Sequence, residues 1–154
     1  GFLVGSRDDA EATVTDETGS LQVTVPRDWE QAVGTEQWTP PGDGEATFPA
    51  LSVGTSTRWW DPGTAAEGVF VGMFPGDHLP ADLPGHPECQ ETADPVTEGG
   101  DEPTVTVVHS GCPDGVTVER VRQVAGNRLL WVQVRSADRA TANQVLDSVE
   151  THGL

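Results

Sequence analysis

The feature that most constrains the fold is the apolar pattern in the last third of the chain. Three segments of strand-like composition follow one another at 104–109, 116–124 and 128–135. The last two are separated only by the Ala-Gly-Asn tripeptide at 125–127, which is typical of a tight hairpin. The sequence therefore predicts a β-meander.

An amphipathic helix is predicted after this meander. Ser136 or Asp138 supplies its N-cap, and Gly153 is predicted to end it. Strands followed by a closing helix favour an α+β fold, in which helices pack on an antiparallel sheet, over a doubly wound nucleotide-binding fold. The apolar positions of the helix, at i, i+3, i+4 and i+7, are Ala142, Val145, Leu146 and Val149.

More strands are predicted earlier in the chain. Segments 12–15 and 21–25 flank a polar turn and predict a hairpin, whose second strand alternates apolar and polar residues. Segments 50–54 and 68–74 are also predicted strands. The second is almost continuously apolar, which fits a central strand covered on both faces. A short helix at 77–84 is only weakly indicated, because prolines interrupt it.

The two cysteines, Cys89 and Cys112, lie in loop-like sequence. Two exposed thiols pair in an oxidising compartment, so we expect a disulfide and a location on the extracellular side of the cytoplasmic membrane or in the medium. Closing this loop stabilises a chain by roughly 3.5 kcal/mol in the chain-entropy model. The alternatives are buried free cysteines and a reactive pair, but the second lacks a C-x-x-C motif.

The domain organisation predicted is a tether or anchor remnant at 1–11 and one globular α+β domain at 12–154. The first five residues are apolar, and acidic polar sequence follows them. That order fits the outer end of a membrane anchor, which a segment outside this chain would complete. A first β-strand is the alternative interpretation.

The charge of the chain restricts its partners. The chain has 25 acidic and 8 basic residues, a formal net charge of -17, and no lysine. Nucleic-acid binding requires clustered basic residues that neutralise phosphates, and the arginines here are scattered. We therefore expect neither nucleic acid nor an anionic membrane surface as a partner. The charge favours solubility, with an acidic docking face as the alternative.

No metal or cofactor is expected. His78, Asp82 and His86 are spaced by four residues, but prolines interrupt the helix that would align them. The acidic segments 16–18 and 98–102 do not follow the calcium-loop pattern. The absence of lysine excludes a Walker-type phosphate loop, and no Gly-x-Gly-x-x-Gly is present.

Catalysis is not expected either. His109 and Ser110 bring together two residue types of a hydrolase triad, but neighbours on a strand point to opposite faces. There is also no Gly-x-Ser-x-Gly nucleophile elbow. His109 is therefore predicted to be a strand-end residue with a satisfied ring.

Tryptophans provide the candidate recognition site. Trp59 and Trp60 are adjacent and follow Arg58, so one indole is expected to pack inward while the other stacks on a sugar, a peptide proline or a cationic group. Trp29 and Trp38 flank the same Pro-rich region and extend this predicted ligand-binding groove. Simple core or loop packing is the alternative. The fifth tryptophan, in the final meander, is expected to pack on the sheet.

Several short motifs together resemble actinobacterial extracytoplasmic domains. They are Val-Pro-x-x-Trp at 25–29, Gly-Val-Phe-Val-Gly at 68–72, the spaced cysteines and Leu-Asp-Ser-Val at 146–149. Such domains occur as lipoproteins or outside a membrane helix attached to a protein kinase or serine protease, and they look like the PsbP-like α/β/α sandwich group. The resemblance covers 12–152 and implies a fold and a location. It implies no active site, because the group shares no catalytic residues.

The function expected is that of a non-enzymatic sensor, ligand-binding or protein-interaction domain of a membrane-anchored protein, one form being the outer domain of a Ser/Thr protein kinase. Its partner is an unidentified protein, peptide or cell-envelope ligand. Two alternatives remain. The first is a cell-envelope hydrolase or its accessory subunit, which requires His109, Ser110 and an aspartate to converge. The second is a structural scaffold.

Overall fold

The computed structural model describes residues 11–39, 46–56, 59, 66–80, 89–100, 102–112 and 115–152. These residues form eleven β-strands, one α-helix and a short 3-10 turn. The strands belong to a three-stranded and an eight-stranded sheet, and every strand pair is antiparallel. Antiparallel pairing agrees with the short turns that join consecutive strands.

The small sheet has the order β1 (Glu11–Thr15), β2 (Leu21–Pro26) and β11 (Glu150–Thr151). It contains the hairpin predicted from the sequence. Pro26 ends β2, because proline has no N–H to continue the ladder.

The turn between β1 and β2 is built around Asp16. Its buried carboxylate accepts hydrogen bonds from the Thr18 N–H at 3.2 Å, the Thr18 hydroxyl at 2.6 Å and the Leu21 N–H at 2.8 Å. An aspartate that bonds the backbone two residues on is a common turn former. The acidic segment 16–18 therefore has a structural role in the hairpin.

The large sheet has the order β3-β4-β5-β10-β9-β8-β6, and β7 also pairs with β8. The predicted strand at 68–74 lies inside this sheet, and the predicted meander forms β8, β9 and β10. The strands are β3 (Ala32–Gly34), β4 (Ala50–Gly54), β5 (Gly68–Pro75), β6 (Glu91–Thr92), β7 (Val96–Glu98), β8 (Thr104–Cys112), β9 (Gly115–Ala125) and β10 (Arg128–Ser136).

One face of the large sheet, here called the core face, packs against β2 and the helix. Because side chains alternate along a strand, every second residue of β5 and β10 points to this face. The small sheet and the helix add their own apolar side chains to one continuous cluster. Its fully buried members include Leu21, Val23, Val25, Val69, Val71, Met73, Leu130, Val134 and Ala142.

The helix α1 (Arg139–Ser148) begins as predicted at an Asp138 N-cap, whose carboxylate accepts from the Ala140 and Thr141 N–H groups. It ends at Ser148, so the prediction that it continues to Gly153 is wrong. The Ser148 hydroxyl accepts a hydrogen bond of 3.0 Å from the Thr24 N–H of β2. The chain then becomes extended and adds β11 to the small sheet, which the helical periodicity did not indicate.

The predicted fold class is confirmed in its coarser part, an antiparallel sheet with a packed helix. Packing by several helices is not shown, since the described residues contain only α1 and the 3-10 turn Arg27–Gln31. They therefore do not confirm a PsbP-like α/β/α sandwich. Residues 77–80 of the weakly indicated helix are not helical, and 81–84 lie outside the described residues.

The disulfide between Cys89 and Cys112 is present, with Cα atoms 3.9 Å apart. It joins the segment before β6 to the end of β8, and the Gln90 N–H also donates to the Gly111 carbonyl at 3.2 Å. The bridge is consistent with an oxidising compartment outside the cytoplasm. Separately, the described part of the chain has no helix long and apolar enough to cross a membrane.

Candidate ligand-binding cleft

The second face of the large sheet, here called the outer face, carries a row of side chains that crosses four strands. Ser52 of β4 is paired with Phe70 of β5, and Phe70 with Gln133 of β10. Gln133 is in turn paired with Glu119 of β9. Directly paired residues project to the same face of a sheet, so these four side chains are neighbours.

Three glycines on the outer face make room for two indoles. A Cβ at Gly54 or at Gly68 would lie 2.4 Å from the Trp59 ring, and one at Gly72 would lie 2.8 Å from the Trp38 ring. Such distances are too short for a real contact, so only glycine allows these rings to approach the backbone of the sheet. The Gly-Val-Phe-Val-Gly motif therefore has a physical function, which is to seat one indole on each side of Phe70.

The three indole N–H groups that the structure describes on this face are paired within the protein. Trp38 donates to the Met73 carbonyl at 2.8 Å, and Trp59 donates to the Ser52 hydroxyl at 3.1 Å. Trp131 donates to the carboxylate of Glu119. The rings are thus held in fixed orientations and present mainly carbon surface to their surroundings.

The rings of Trp38, Phe70 and Trp131 pack together. The Trp38 and Phe70 centroids are 5.0 Å apart at 71°, and those of Phe70 and Trp131 are 5.3 Å apart at 65°. Trp38 and Trp131 lie 5.8 Å apart at 42°. The first two pairs have the edge-on arrangement that aromatic rings favour and the third is tilted, and at these spacings there is no gap between the rings for a ligand. A ligand would contact the outside of this cluster.

Two hollows border the cluster and together form what we call the aromatic cleft. The first hollow, of about 280 Å³, is lined by Trp38, Ser52, Trp59, Phe70, Trp131 and Gln133. The second hollow, of about 340 Å³, runs along residues 33–38 and 50–52 beside β3. Both are lined by Trp38, Ser52 and Phe70, so they adjoin along these residues.

Two polar groups of the first hollow have unused hydrogen-bonding capacity. The half-buried side-chain amide of Gln133 has no hydrogen-bond partner in the part of the chain that the structure describes. The Ser52 hydroxyl accepts from Trp59, and within the same described residues its own O–H has no acceptor. An amide with two donors and one acceptor, beside a free hydroxyl donor, suits a polar ligand.

Two buried charged side chains on the outer face contact the tryptophans. Glu119 is 0% exposed and fixes Trp131, while the buried Arg135 donates to the Trp59 carbonyl at 3.0 Å. Burying a charged group is costly unless it is paired, so breaking either contact would leave a buried charge with fewer partners. This cost keeps Trp131 and Trp59 in their positions. Their role is to position the lining of the cleft.

The predicted binding residues have different locations. Trp38 and Trp59 both line the first hollow. Trp29 does not join them, because the 3-10 turn after Pro26 directs its side chain into the core-face cluster, where it is 2% exposed. Arg58 and Trp60 lie outside the described residues.

Sequence reasoning missed Trp131, Phe70, Gln133 and Ser52 as lining residues. Trp131 was expected only to pack on the sheet, and it does so while also lining the first hollow. Alternation within 128–135 already puts Trp131 and Gln133 on one face. What the sequence lacked was the strand order that brings this face beside Trp38.

The catalytic alternative depends on His109 and Ser110. The buried His109 ring shares a 2.9 Å hydrogen bond between its Nδ1 and the Thr92 hydroxyl. Its position opposite Thr117 places it on the outer face, whereas Ser110 is the next residue along β8 and points the other way.

The metal alternative depends on His78, Asp82 and His86. His78 is exposed and bonds Asp77 at 2.6 Å, which holds the pKa of that carboxyl below its usual value. Asp82 and His86 lie outside the described residues. Within those residues, no three metal-binding side chains come together.

No family model, curated protein or solved structure matches this chain.

Proposed function

We propose that this protein is a non-enzymatic ligand-binding domain that acts outside the cytoplasm and takes its ligand in the aromatic cleft. The observation that carries the proposal is the first hollow, where rings with internally satisfied N–H groups surround an amide that has no partner among the described residues. Small-molecule sites typically combine an apolar, aromatic lining with a few polar groups that fix orientation. The disulfide supports a location outside the cytoplasm.

The chemistry of the lining favours binding over turnover. The described residues of the first hollow contribute aromatic rings, a hydroxyl and an amide. General acid–base catalysis requires a group that exchanges protons near the working pH, and neither a serine hydroxyl without a base nor an amide does so. In this proposal the domain is displayed by an N-terminal anchor and reports or captures a ligand.

The indole N–H signals of the ¹⁵N-labelled protein provide the test. Cellotriose, a hexaproline peptide and choline are titrated separately, because they represent the three ligand classes that stack on indoles. We expect at least one probe to shift the Trp38 and Trp131 signals, because these rings are partly exposed in the first hollow. The Trp29 signal is the internal control and should stay in place, because this ring is buried on the core face. If the Trp38 and Trp131 signals respond to none of the probes, the proposal fails.

A further inference from the structure

We infer that the ligand of the aromatic cleft is a neutral oligosaccharide, with one sugar ring in the first hollow and the next in the second hollow. The inference rests on the proposed function and specifies the ligand class of the same site. Three independent features of the cleft support it: the chemistry of its rings, its unused polar groups and its length.

The rings offer carbon surface and no free donor. Trp38 and Trp131 use their N–H inside the protein and are partly exposed, so a ligand meets the faces and edges of these two indoles. Trp59 also uses its N–H inside the protein, but it is buried and only supports the lining. A pyranose has a flat C–H surface that covers such a ring while its hydroxyls project around the rim. Removing both surfaces from water stabilises the contact.

The polar groups fit hydroxyls that both donate and accept. Ser52 and Gln133 flank Phe70 on neighbouring strands, so their backbones are about 10 Å apart at the usual strand spacing. Both residues line the first hollow, so a sugar ring there lies within reach of both. Gln133 has two donors and one acceptor, and hydroxyl groups, which both donate and accept, satisfy all of them.

Other ligand classes fit these groups less well. A proline peptide offers carbonyl acceptors but no N–H at its prolines, so the Gln133 carbonyl would lose water without gaining a donor. A cation can be held by the ring faces alone, but a quaternary ammonium offers no acceptor for the Gln133 amide donors or the Ser52 hydroxyl. Anionic sugars are disfavoured by the net charge of -17. Among these classes, a neutral sugar fits the lining best.

The length of the cleft indicates more than one sugar unit. Each hollow, at about 280 and 340 Å³, is at the lower end of the range of small-molecule pockets and has room for one ring. The two meet at Trp38, Ser52 and Phe70. An oligosaccharide with one ring in the first hollow can therefore place its next ring in the second hollow.

The experiment compares chain length and ligand class by calorimetry and by the indole signals. The probes are cellotriose, maltotriose and N,N′,N″-triacetylchitotriose, their monosaccharides, and the hexaproline peptide. We expect at least one trisaccharide to bind about tenfold more tightly than its monosaccharide, because the second ring adds about eleven heavy atoms of contact.

The variant Gln133→Ala tests the polar contact. We expect about tenfold weaker binding of the trisaccharide, because its hydroxyls lose an amide that both donates and accepts hydrogen bonds. Gln144→Ala makes the same chemical change on the exposed side of α1 and should bind like the parent protein. A trisaccharide that binds Gln133→Ala as tightly as the parent overturns the inference.

The remaining outcomes separate the two proposals. If the peptide shifts the Trp38 and Trp131 signals and no saccharide does, the saccharide inference is wrong while the proposed function stands. If neither class shifts them, both are wrong. Equal affinity for the trisaccharide and its monosaccharide also contradicts the two-ring cleft.

Discussion

The position of Trp59 in the cleft depends on the absence of a Cβ at Gly68. Its missing Cβ leaves space for the Trp59 indole, and the carbonyl of Val53 would lie only 2.8 Å from a methyl group at this position. The ring is a side chain that can move, but the Val53 carbonyl belongs to the neighbouring strand. An added methyl therefore displaces both the indole and the strand pair β4–β5.

The substitution Gly68→Ala is expected to destabilise the protein by about 1–3 kcal/mol, the usual cost of overpacking a well-packed region. Urea unfolding followed by far-UV circular dichroism measures this free energy. Gly99→Ala is the matched control, because a Cβ at Gly99 meets nothing within 4 Å. Equal stability of the two variants would show that Trp59 does not occupy the space above Gly68.

Asp16 is a second residue whose role is defined by named contacts. It is expected to stabilise the β1–β2 hairpin, because its buried carboxylate accepts from the N–H groups of Thr18 and Leu21. Asp16→Ala should lower the free energy of unfolding by about 1–3 kcal/mol, since Leu21 is left with an unpaired buried donor. Urea unfolding again measures the change. Asp28→Ala, at an exposed site in the 3-10 turn, is the control and should change it little.

At the scale of elements, the disulfide fastens the edge of the large sheet. β6 and β7 are short and exposed, and both pair with β8. The bridge between Cys89 and Cys112 adds a covalent link at the end where β6 begins. Loss of the bridge should therefore loosen this edge before it affects the interior of the sheet.

The double variant Cys89→Ser, Cys112→Ser is expected to be about 3 kcal/mol less stable, because the unfolded chain regains the entropy of the open loop. Hydrogen exchange followed by mass spectrometry locates the effect. Exchange should accelerate most for amides of β6 and β7, which also open locally, and less for those of β5 and β10, whose exchange rises only with the lowered free energy of global unfolding. Uniformly faster exchange across all strands would contradict a local role for the bridge.

The elements also show what the sequence could predict. The strands β4, β5, β8, β9 and β10 follow from local composition and alternation, and Asp138 is recognisable as an N-cap. The end of α1 was not predictable in this way, because it is set by the Ser148 contact with Thr24 of β2, 124 residues away in the chain. Tertiary contacts of this kind leave no local pattern.

The candidate site was less predictable than the fold, for the same reason. Trp38 and Trp59 were identified from aromatic clustering alone. Trp29 and Trp131 could not be assigned to a face, because this requires the strand order that places β10 beside β5 and the turn that directs Trp29 inward.

At the scale of the whole molecule, the dominant property is charge. A net charge of -17 on 154 residues favours solubility. It also destabilises the folded form, because the negative charges repel one another when the chain is compact. The described ion pairs that include arginine, Arg120 with Asp147 and Arg122 with Glu102, lie partly exposed and compensate little of it.

Salt is therefore expected to stabilise the protein. Raising NaCl from about 0.01 to 0.5 M shortens the Debye length from about 30 Å to below 8 Å and screens this repulsion. Differential scanning calorimetry should show a midpoint that rises by several degrees with salt. Neutral sucrose at matched osmolality is the control for excluded-solute effects. A midpoint that falls or stays constant with NaCl would show that the self-repulsion is negligible.

The glycines that seat Trp38 and Trp59 also provide a criterion for tracing this cleft in other proteins. Gly68 and Gly72 are four residues apart on one strand and so share a face, and Gly54 is paired with Gly68 on the next strand. A chain with the same sheet but a side chain at any of these positions cannot hold both indoles against the backbone. Its ancestors or descendants can keep the fold and lose the site through one methyl group.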